Sequence, residues 1–287
     1  VYCEKPLAHS VHEARVMRET FAKAKVATQM GTQIHATENY RRVVELVQSG
    51  AIGPVREAHV WCSRSIKPIG APVLERVSPP DWFHWDEWQG PAPDRYHNQG
   101  YWKGGNLNWN RRWDYGNGVL GDMGSHLIDL PWWALELKTP LTVEAHGPKA
   151  DAVACPPWMR VTWEHAARKG RAALEVPVKV VWYHGGRSKR DRPDIETGMD
   201  LGKWFNGILF VGDKGMLLAD YGKRFLLPKE KFAGHKAPKP WIAKSLGHHR
   251  EWIHAAKTGA PTLCNFEYSG SLIEHNLHGS VAYRVGK

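Results

Sequence analysis

The chain is poor in cysteine and shows no spacing typical of a structural metal site. Its 287 residues contain 4 cysteines. They form no Cys-x-x-Cys pair, so the combination of a cysteine pair and a histidine pair that binds zinc in zinc fingers is absent. We therefore expect neither a disulfide scaffold nor a metal site, and interpret the four as buried thiols: Cys3, Cys62, Cys155 and Cys264.

Long apolar runs are also absent. None approaches the roughly 18 to 20 residues that span a bilayer, and no signal-like segment opens the chain. The sequence begins with Val1, inside an apolar run, so we expect the chain to be part of a longer protein. A cytoplasmic and an exported, periplasmic location both stay open. The composition, 42% hydrophobic and 24% charged, is typical of a soluble globular protein.

Clustered positive charge is absent despite a formal net charge of +10. Basic residues are dispersed and alternate with acidic ones, and the longest basic stretch, Arg187–Arg192, is interrupted by an aspartate. This pattern does not predict nucleic-acid binding. No membrane partner is expected either.

Tryptophan is abundant, with 15 residues. Six lie between Trp82 and Trp113, in a segment rich in Gly, Pro, Asn and Asp, a poor composition for a core element. Indole rings in a cleft suit the apolar faces of a sugar ring or a protein partner. The alternative is a loop whose tryptophans pack only on one another.

Short apolar strands alternate with helices at the start of the chain. Val1–Cys3 predicts a strand end, and Ser10 with Glu13 predicts a capping box at the start of a helix. Val26–Met30 predicts the next strand, and a second helix follows from Thr37 until Gly50 ends it. This alternation is typical of a doubly wound parallel sheet, of which only the last part would be present.

A different pattern follows residue 53. Strand-like runs joined by glycine-containing turns predict an open, largely antiparallel mixed β-sheet. A helix is predicted from Gly121 until Pro131 kinks or ends it, and a closing helix over Tyr268–Val285. The predicted strands are Val55–Cys62, Leu141–Ala145, Met159–Trp163, Ala172–Val176, Val178–Tyr183, Ile208–Val211, Gly215–Asp220 and Lys223–Leu227.

Two polar motifs lie far apart in this arrangement. Lys5 directly follows the first strand, and the carboxyl ends of parallel strands are where open α/β sheets bind ligands. Asp122, His126 and Asp129 would share one helical face. An aspartate beside an imidazole favours its protonated form, and such a histidine could exchange a proton with an alcohol. The alternative is that Asp122 caps the helix and His126 is a core residue.

Together these motifs resemble the Gfo/Idh/MocA family of NAD(P)-dependent oxidoreductases. The resemblance runs essentially end to end, and the segments Gly212–Gly215, Gly247–Trp252 and Cys264–Gly270 are similar to a Trp-rich, planctomycete-type bacterial branch. The residues that carry it are Glu4-Lys5-Pro6, Gly50-Ala51-Ile52-Gly53 and Leu120-x-Asp122-x-Gly124-x-His126-x-x-Asp129.

The resemblance implies the fold and the site. Residues 1–53 would be the C-terminal part of a Rossmann domain, and residues 54–287 an α/β substrate domain that forms dimers or tetramers through its sheet. Lys5, Asp122 and His126 would be catalytic. NAD or NADP would contact four residues, and a sugar or polyol four others. These sets are Glu4, Lys5, Pro6 and Gln33 for the cofactor, and His35, Asp129, Trp109 and Trp113 for the substrate.

The chain lacks a Gly-x-Gly-x-x-Gly motif that follows a predicted strand, so the phosphate-binding turn would lie upstream. Three functions remain open. The first is a sugar or polyol dehydrogenase. The second is an NAD-dependent glycosidase, which oxidises a sugar transiently, eliminates the aglycone and needs a second base such as Tyr101, Tyr115 or His184. The third is a non-catalytic carbohydrate-binding relative.

Overall fold

The first part of the chain forms a small parallel sheet. The computed structural model describes residues 1–64, 75–169, 171, 174–186, 188 and 191–286. Strands β1 (Tyr2–Cys3) and β2 (Gln29–Met30) pair in parallel, and helix α1 (Val11–Ala24) connects them. The predicted capping box is confirmed, because Ser10 Oγ accepts the Glu13 N–H while the Glu13 carboxylate accepts the Ser10 N–H.

A larger mixed sheet follows, as predicted. Its seven strands run in the order β4-β5-β6-β3-β7-β8-β9. The pair β3–β6 is parallel and the other neighbouring pairs are antiparallel. The strands are β3 (Val55–Cys62), β4 (Thr142–His146), β5 (Met159–His165), β6 (Val178–His184), β7 (Asn206–Gly212), β8 (Gly215–Ala219) and β9 (Arg224–Leu227).

Helices cover one face of this sheet. The larger core joins apolar residues of β3, β5, β6 and β7 to four helices, α2, α6, α7 and α9. In the described part of the chain, no helix is both long enough and apolar enough to cross a membrane. The remaining helices are α2 (Glu38–Gln48), α3 (Trp85–Gln89), α4 (Gln99–Trp102), α5 (Asn106–Trp109), α6 (Gly118–Leu127), α7 (Asp129–Ala134), α8 (His248–Thr258) and α9 (Phe266–Val285).

The long C-terminal helix joins the two sheets. Buried Ala14 of α1 and Ile273 of α9 share a second core with Met30 of β2. On the surface, Arg15 and Arg18 of α1 form ion pairs with Glu274 of α9. Helix α2, which the predicted boundary at residue 53 assigns to the first domain, packs in the core of the larger sheet. The boundary itself stays a prediction.

The helix that carries the second polar motif differs from its prediction. It begins at Gly118, not Gly121, so Asp122 lies inside α6 and is not its cap. It also ends at Leu127, and a separate helix α7 starts at Asp129. The physical reason is Pro131, which has no N–H to donate to the Leu127 carbonyl four residues earlier.

The predicted strand Ala172–Val176 is also wrong where it can be compared. Its first two residues lie outside the described ranges, and Leu174–Val176 form no strand. The apolar pattern reflects burial, since the Leu174 side chain is fully buried in the larger core.

One glycine of β7 is required by close packing. A Cβ on Gly207 would lie 2.0 Å from the ring of Trp61. Trp61 is fully buried and donates its indole N–H to the Trp204 carbonyl at 3.1 Å, so it has little freedom to move. We expect Gly207→Ala to lower the unfolding free energy by about 1–3 kcal/mol, measured by urea denaturation. Gly222→Ala is the control, because a Cβ there meets no atom within 4 Å. Equal stability of both variants would contradict this account.

Candidate active site

The fold brings the two polar motifs into contact. Lys5 lies two residues beyond β1, and its Nζ donates to the Asp122 backbone oxygen at 2.8 Å and also to the Asp122 carboxylate. The two residues are 117 positions apart in the sequence. Thus the hypothesis that both motifs share one site agrees with the geometry. The Lys5–Pro6 peptide bond is cis.

The Asp122 carboxylate is held between two cations. Lys5 contacts Oδ1, and Arg64, two residues beyond β3, donates from Nη1 to Oδ2. The Asp122 side chain is only 6% exposed, whereas the side chains of Lys5 and Arg64 are 18% and 27% exposed. A buried carboxylate with an ion pair on each oxygen is firmly oriented.

His126 lies one helical turn after Asp122 and is largely buried. Its Nδ1 is buried and accepts or donates no hydrogen bond within the described ranges. Burial, followed by the nearby Lys5 ammonium, lowers the pKa of His126 to about 4, although Asp122 and Asp129 act in the opposite direction. The sequence-based interpretation that Asp122 keeps this imidazole protonated is therefore wrong. Instead the geometry places a neutral imidazole beside the ion pairs.

Asp129 turns away from Asp122 and forms a second buried cluster. Its carboxylate accepts the Tyr268 hydroxyl at 2.6 Å and lies 3.0 Å from His35 Nδ1. The His35 ring stacks on Trp133 with a centroid separation of 3.9 Å. His35 is 2% and Asp129 0% exposed, so this arrangement favours a supporting role over contact with a substrate.

The remaining predicted cofactor residues lie at the ends of the small sheet. Glu4 follows β1 and is exposed, and Gln33 begins the turn after β2 and is also exposed. Gly31 allows the two segments to approach closely, because a Cβ there would be 2.8 Å from the Glu4 carboxylate and 3.3 Å from the Lys5 nitrogen. Glu4, Lys5 and Gln33 therefore share one edge of the parallel sheet, the edge where α/β folds bind nucleotides.

The Trp-rich segment packs mainly on itself. Trp85 and Trp88 stack at 5.1 Å, and Phe83 lies 4.6 Å from Trp102. Among the tryptophans of this segment Trp82 is exposed, at 69%. Of the alternatives raised by the sequence, the self-packed loop describes most of this segment.

The predicted substrate tryptophans lie at the end of that segment. Trp113 is 7% exposed, donates its N–H to the Asp151 carbonyl at 3.1 Å and has Arg284 over its ring. Trp109 ends the short helix α5 and is partly buried. The structure does not bring Trp113 together with Lys5 and Asp122, since its ring contacts Tyr283 and Arg284 instead.

The candidate second bases lie in other clusters. Tyr101 and Tyr115 meet edge to face at 5.5 Å, among the rings of the Trp-rich segment. His184 is buried in the larger core, where Nδ1 accepts the Trp182 N–H at 2.8 Å. These contacts favour structural roles for all three.

Sequence reasoning missed two residues beside Asp122. Arg64 is one, and Tyr221, in the turn between β8 and β9, is the other. Burial raises the pKa of Tyr221, and Cys62, Arg64 and Asp122 also act on it electrostatically. The strand-end argument that selected Lys5 applies equally to Arg64, because β3 was predicted with the bounds it has. Tyr221 gave no such signal.

A glycine pattern before Asp122 has dinucleotide-turn spacing but another role. Gly116, Gly118 and Gly121 lead into α6, but no strand precedes them directly. A Cβ on Gly116 would lie 2.6 Å from Asn110 Cα, and one on Gly118 2.8 Å from Cys155 Cβ. Close packing against neighbouring backbone and side chains therefore explains these glycines.

No metal site accompanies this cluster. Within the described ranges, no group of three or more His, Cys, Asp or Glu side chains is arranged to hold a metal ion. The carboxylate of the cluster, that of Asp122, already has an ion pair on each oxygen.

Comparison with known proteins gives a match to one family model and a shared fold. A model of an oxidoreductase family, the C-terminal α/β domain of the Gfo/Idh/MocA type, matches residues 39–172. A search of curated protein sequences finds no match.

Solved oxidoreductase structures share the fold at low sequence identity. The WlbA dehydrogenase of Bordetella pertussis, solved with NADH and UDP-GlcNAcA, has a TM-score of 0.60 at 14% identity, over 100% of this chain and 70% of its own. An Agrobacterium radiobacter oxidoreductase, solved with NAD+, L-tartaric acid and magnesium, has a TM-score of 0.53 at 13% identity. The match covers 100% of this chain and 71% of the oxidoreductase. A Thermotoga maritima oxidoreductase has a TM-score of 0.56 at 14% identity, and the match covers 98% of this chain and 68% of the oxidoreductase.

Proposed function

Since the chain belongs to the Gfo/Idh/MocA oxidoreductases, we propose that it transfers hydride between a nicotinamide cofactor and the hydroxyl-bearing carbon of a sugar or polyol. The observation that carries the proposal is the contact between Lys5 and Asp122 beside a neutral His126. This arrangement combines a fixed cation with a group that accepts a proton, as alcohol oxidation requires.

The residues present fit a nicotinamide cofactor. Glu4, Lys5, Pro6 and Gln33 lie at the nucleotide-binding edge of the parallel sheet. His126 Nδ1 is a buried polar atom without a partner in the described residues, as expected of a group that faces a ligand. NAD or NADP would be held there, and its nicotinamide would supply the hydride acceptor.

The chain's own residues would handle the charge and the proton. Neutral His126 accepts the proton of the substrate hydroxyl as its carbon is oxidised. The Lys5 ammonium stabilises the negative charge that develops on that oxygen. Asp122 holds Lys5 in place, while the buried pair of His35 and Asp129 supports the helix end behind His126. In the reverse direction the same groups reduce a ketone.

The glycosidase alternative receives one specific observation. Tyr221 is close enough to Asp122 and Arg64 for their charges to act on its pKa. A phenol there lies nearer to the Asp122 cluster than Tyr101, Tyr115 or His184, and its raised pKa suits it to donate a proton to a leaving aglycone. Elimination chemistry is therefore the second candidate function, and a non-catalytic carbohydrate-binding role is the third.

Among the described residues, helices do not cover the second face of the larger sheet, and Met199 and Trp204 pack on part of it. Its partly buried remainder supports the proposed self-association. Val211, Met216 and Phe225 point to this face and are only partly buried. An apolar face of this kind suits pairing with a second copy of the chain. We propose a dimer or tetramer, which sedimentation would test. The domain boundary at residue 53 also remains a proposal. So does the location of the protein, either in the cytoplasm or in the periplasm.

Cofactor binding and turnover together test the function. The full-length protein is titrated with NAD and with NADP while tryptophan fluorescence is followed. We expect saturable quenching by one of them, and NADH or NADPH accumulation with a sugar or polyol. Cleavage of a nitrophenyl glycoside without net cofactor change would instead favour the glycosidase. Binding of neither dinucleotide would contradict both enzyme functions.

A further inference from the structure

Arg64 occupies the open side of the Asp122 cluster. Its side chain is 27% exposed, whereas that of Asp122 is 6% exposed. The guanidinium follows the carboxyl end of β3 and contacts Asp122 through Nη1 alone. Because Lys5 and Arg64 contact the two oxygens of one carboxylate, their cationic groups lie only a few ångströms apart.

The cluster carries a surplus positive charge. Lys5 and Arg64 contribute two cations, and Asp122 neutralises one of them. His126 is neutral at pH 7, because burial and Lys5 lower its pKa to about 4. Burial also raises the pKa of Cys62 to about 11, so this thiol adds no negative charge.

Two other acidic residues near the cluster, Asp129 and Asp220, hydrogen-bond to other partners. The Asp129 carboxylate faces His35 and Tyr268. Asp220, beside Tyr221, accepts the backbone N–H groups of Gly222 and Lys223 within its own turn. Burial raises the pKa of Tyr221, so its phenol is uncharged. Among the described residues, Asp122 is therefore the carboxylate that pairs directly with Lys5 and Arg64, and neither Asp129 nor Asp220 does so.

Arg64 also retains unused donors. A guanidinium has five N–H groups in a planar fork, and only Nη1 has a hydrogen-bond acceptor within the part of the chain that the structure describes. Its Nε and Nη2 are not among the buried atoms that lack a partner. The edge formed by Nε and Nη2 matches the two oxygens of a carboxylate, the geometry in which arginine binds carboxylates most strongly.

We propose that Arg64 binds a carboxylate of the substrate, so that the substrate class is an acidic sugar such as a uronic or aldonic acid. This proposal rests on the proposed function for the reacting hydroxyl, which Lys5 and His126 would receive. The short separation of Lys5 and Arg64 requires the oxidised carbon to lie near the carboxylate. Asp122 would then set the spacing between the two cations.

Matched ligand pairs test the proposal on the full-length protein. Binding of D-glucuronate and D-glucose, and of D-galacturonate and D-galactose, is measured by calorimetry with NAD present. We expect each uronate to bind at least tenfold more tightly than its neutral partner. Raising the salt concentration should weaken uronate binding selectively, because a partly exposed ion pair is screened.

Variants assign the preference to Arg64. Arg64→Met should weaken uronate binding by about ten- to a hundredfold, the range expected for hydrogen bonds to a charged group. Binding of the neutral sugar and of NAD should change by less than about twofold. Arg64→Lys should retain part of the preference, because it keeps the charge without the fork. Arg56→Met is the matched control, since Arg56 lies on β3, the strand that precedes Arg64, but pairs with Asp213.

Three results would overturn the proposal. Equal affinity for uronate and neutral sugar would show that no carboxylate is recognised. An equal loss for both ligands in Arg64→Met, and in Arg64→Gln if the first variant fails to fold, would show that Arg64 only positions Asp122. Loss of NAD binding instead would assign Arg64 to a cofactor phosphate. Uronate binding that depends on Arg64 without any NADH formation would uphold the carboxylate site and contradict the proposed redox function.

Discussion

The variant His126→Ala is expected to turn over about 10² to 10⁴ times more slowly than the wild type, the range that general acid–base catalysis contributes. His126 is neutral at pH 7 and can accept the hydroxyl proton, because burial and Lys5 lower its pKa to about 4. Its Nδ1 makes no hydrogen bond to another described residue, so the substitution breaks no hydrogen bond at that atom. Steady-state assays of the full-length protein should therefore show a loss in kcat.

The control for this variant is His12→Ala, because His12 lies on the exposed side of α1. Both variants should bind the dinucleotide with unchanged affinity and unfold at similar temperatures. In the wild type, kcat/KM should be flat above pH 6 and fall as the pH approaches the His126 pKa of about 4. Full turnover by His126→Ala would remove His126 from the mechanism.

The unfolding free energy of the protein is expected to fall steeply as the pH decreases below about 6.5. Burial lowers the pKa of His165 and His184 to about 4, and that of His275 well below its usual range. In the unfolded chain these groups titrate near pH 6.5. Below that pH the unfolded state takes up protons that the folded state refuses, so the unfolding free energy falls until the folded histidines also protonate.

The magnitude follows from the number of protons. Each selective proton lowers the unfolding free energy by about 1.4 kcal/mol per pH unit, so these three histidines alone give about 4 kcal/mol per pH unit. His126 and His248, whose pKa values burial also lowers to about 4, make the slope steeper. His184 shows why the folded state excludes the proton, since its Nδ1 already accepts the Trp182 N–H at 2.8 Å. Urea unfolding at pH 7.5, 6.5 and 5.5 measures the slope.

The slope also identifies the residues responsible. His184→Asn should reduce the pH dependence by about one proton, whatever its effect on absolute stability, whereas exposed His12→Asn should leave it unchanged. An unfolding free energy that is constant between pH 7.5 and 5.5 would show that these imidazoles do not stay neutral in the folded state.

Local patterns predicted much of the fold because local physics decides those features. The Ser10–Glu13 capping box and strand β3 required only short-range spacing and hydrophobic alternation, and both are observed. Strand-like runs joined by glycine-containing turns likewise predicted the larger mixed sheet, which is observed. In contrast, the sequence predicted that the helix kinks or ends at Pro131, whereas α6 already ends at Leu127. The effect of the proline appears four residues earlier, at the carbonyl that its missing N–H leaves without a donor.

Electrostatic features of the site could not be predicted, because they depend on burial and on long-range pairing. Helical spacing placed Asp122 and His126 on one face, but it could not show that Lys5 and Arg64 would occupy the Asp122 oxygens. The same spacing predicted a protonated imidazole, and burial reverses that result. Asp129 does not share a helical face with Asp122 and His126, because α6 ends at Leu127 and Asp129 begins α7.

Deuterium transfer tests the central claim most directly. The full-length protein is incubated with its dinucleotide and with glucuronate or glucose deuterated at every ring carbon, and the reduced cofactor is examined by mass spectrometry and NMR. Hydride transfer at the Lys5, Asp122 and His126 site predicts one deuterium at the nicotinamide C4, and a strong decrease in that product in His126→Ala. No reduced cofactor, or reduced cofactor that carries only protium, would contradict the account.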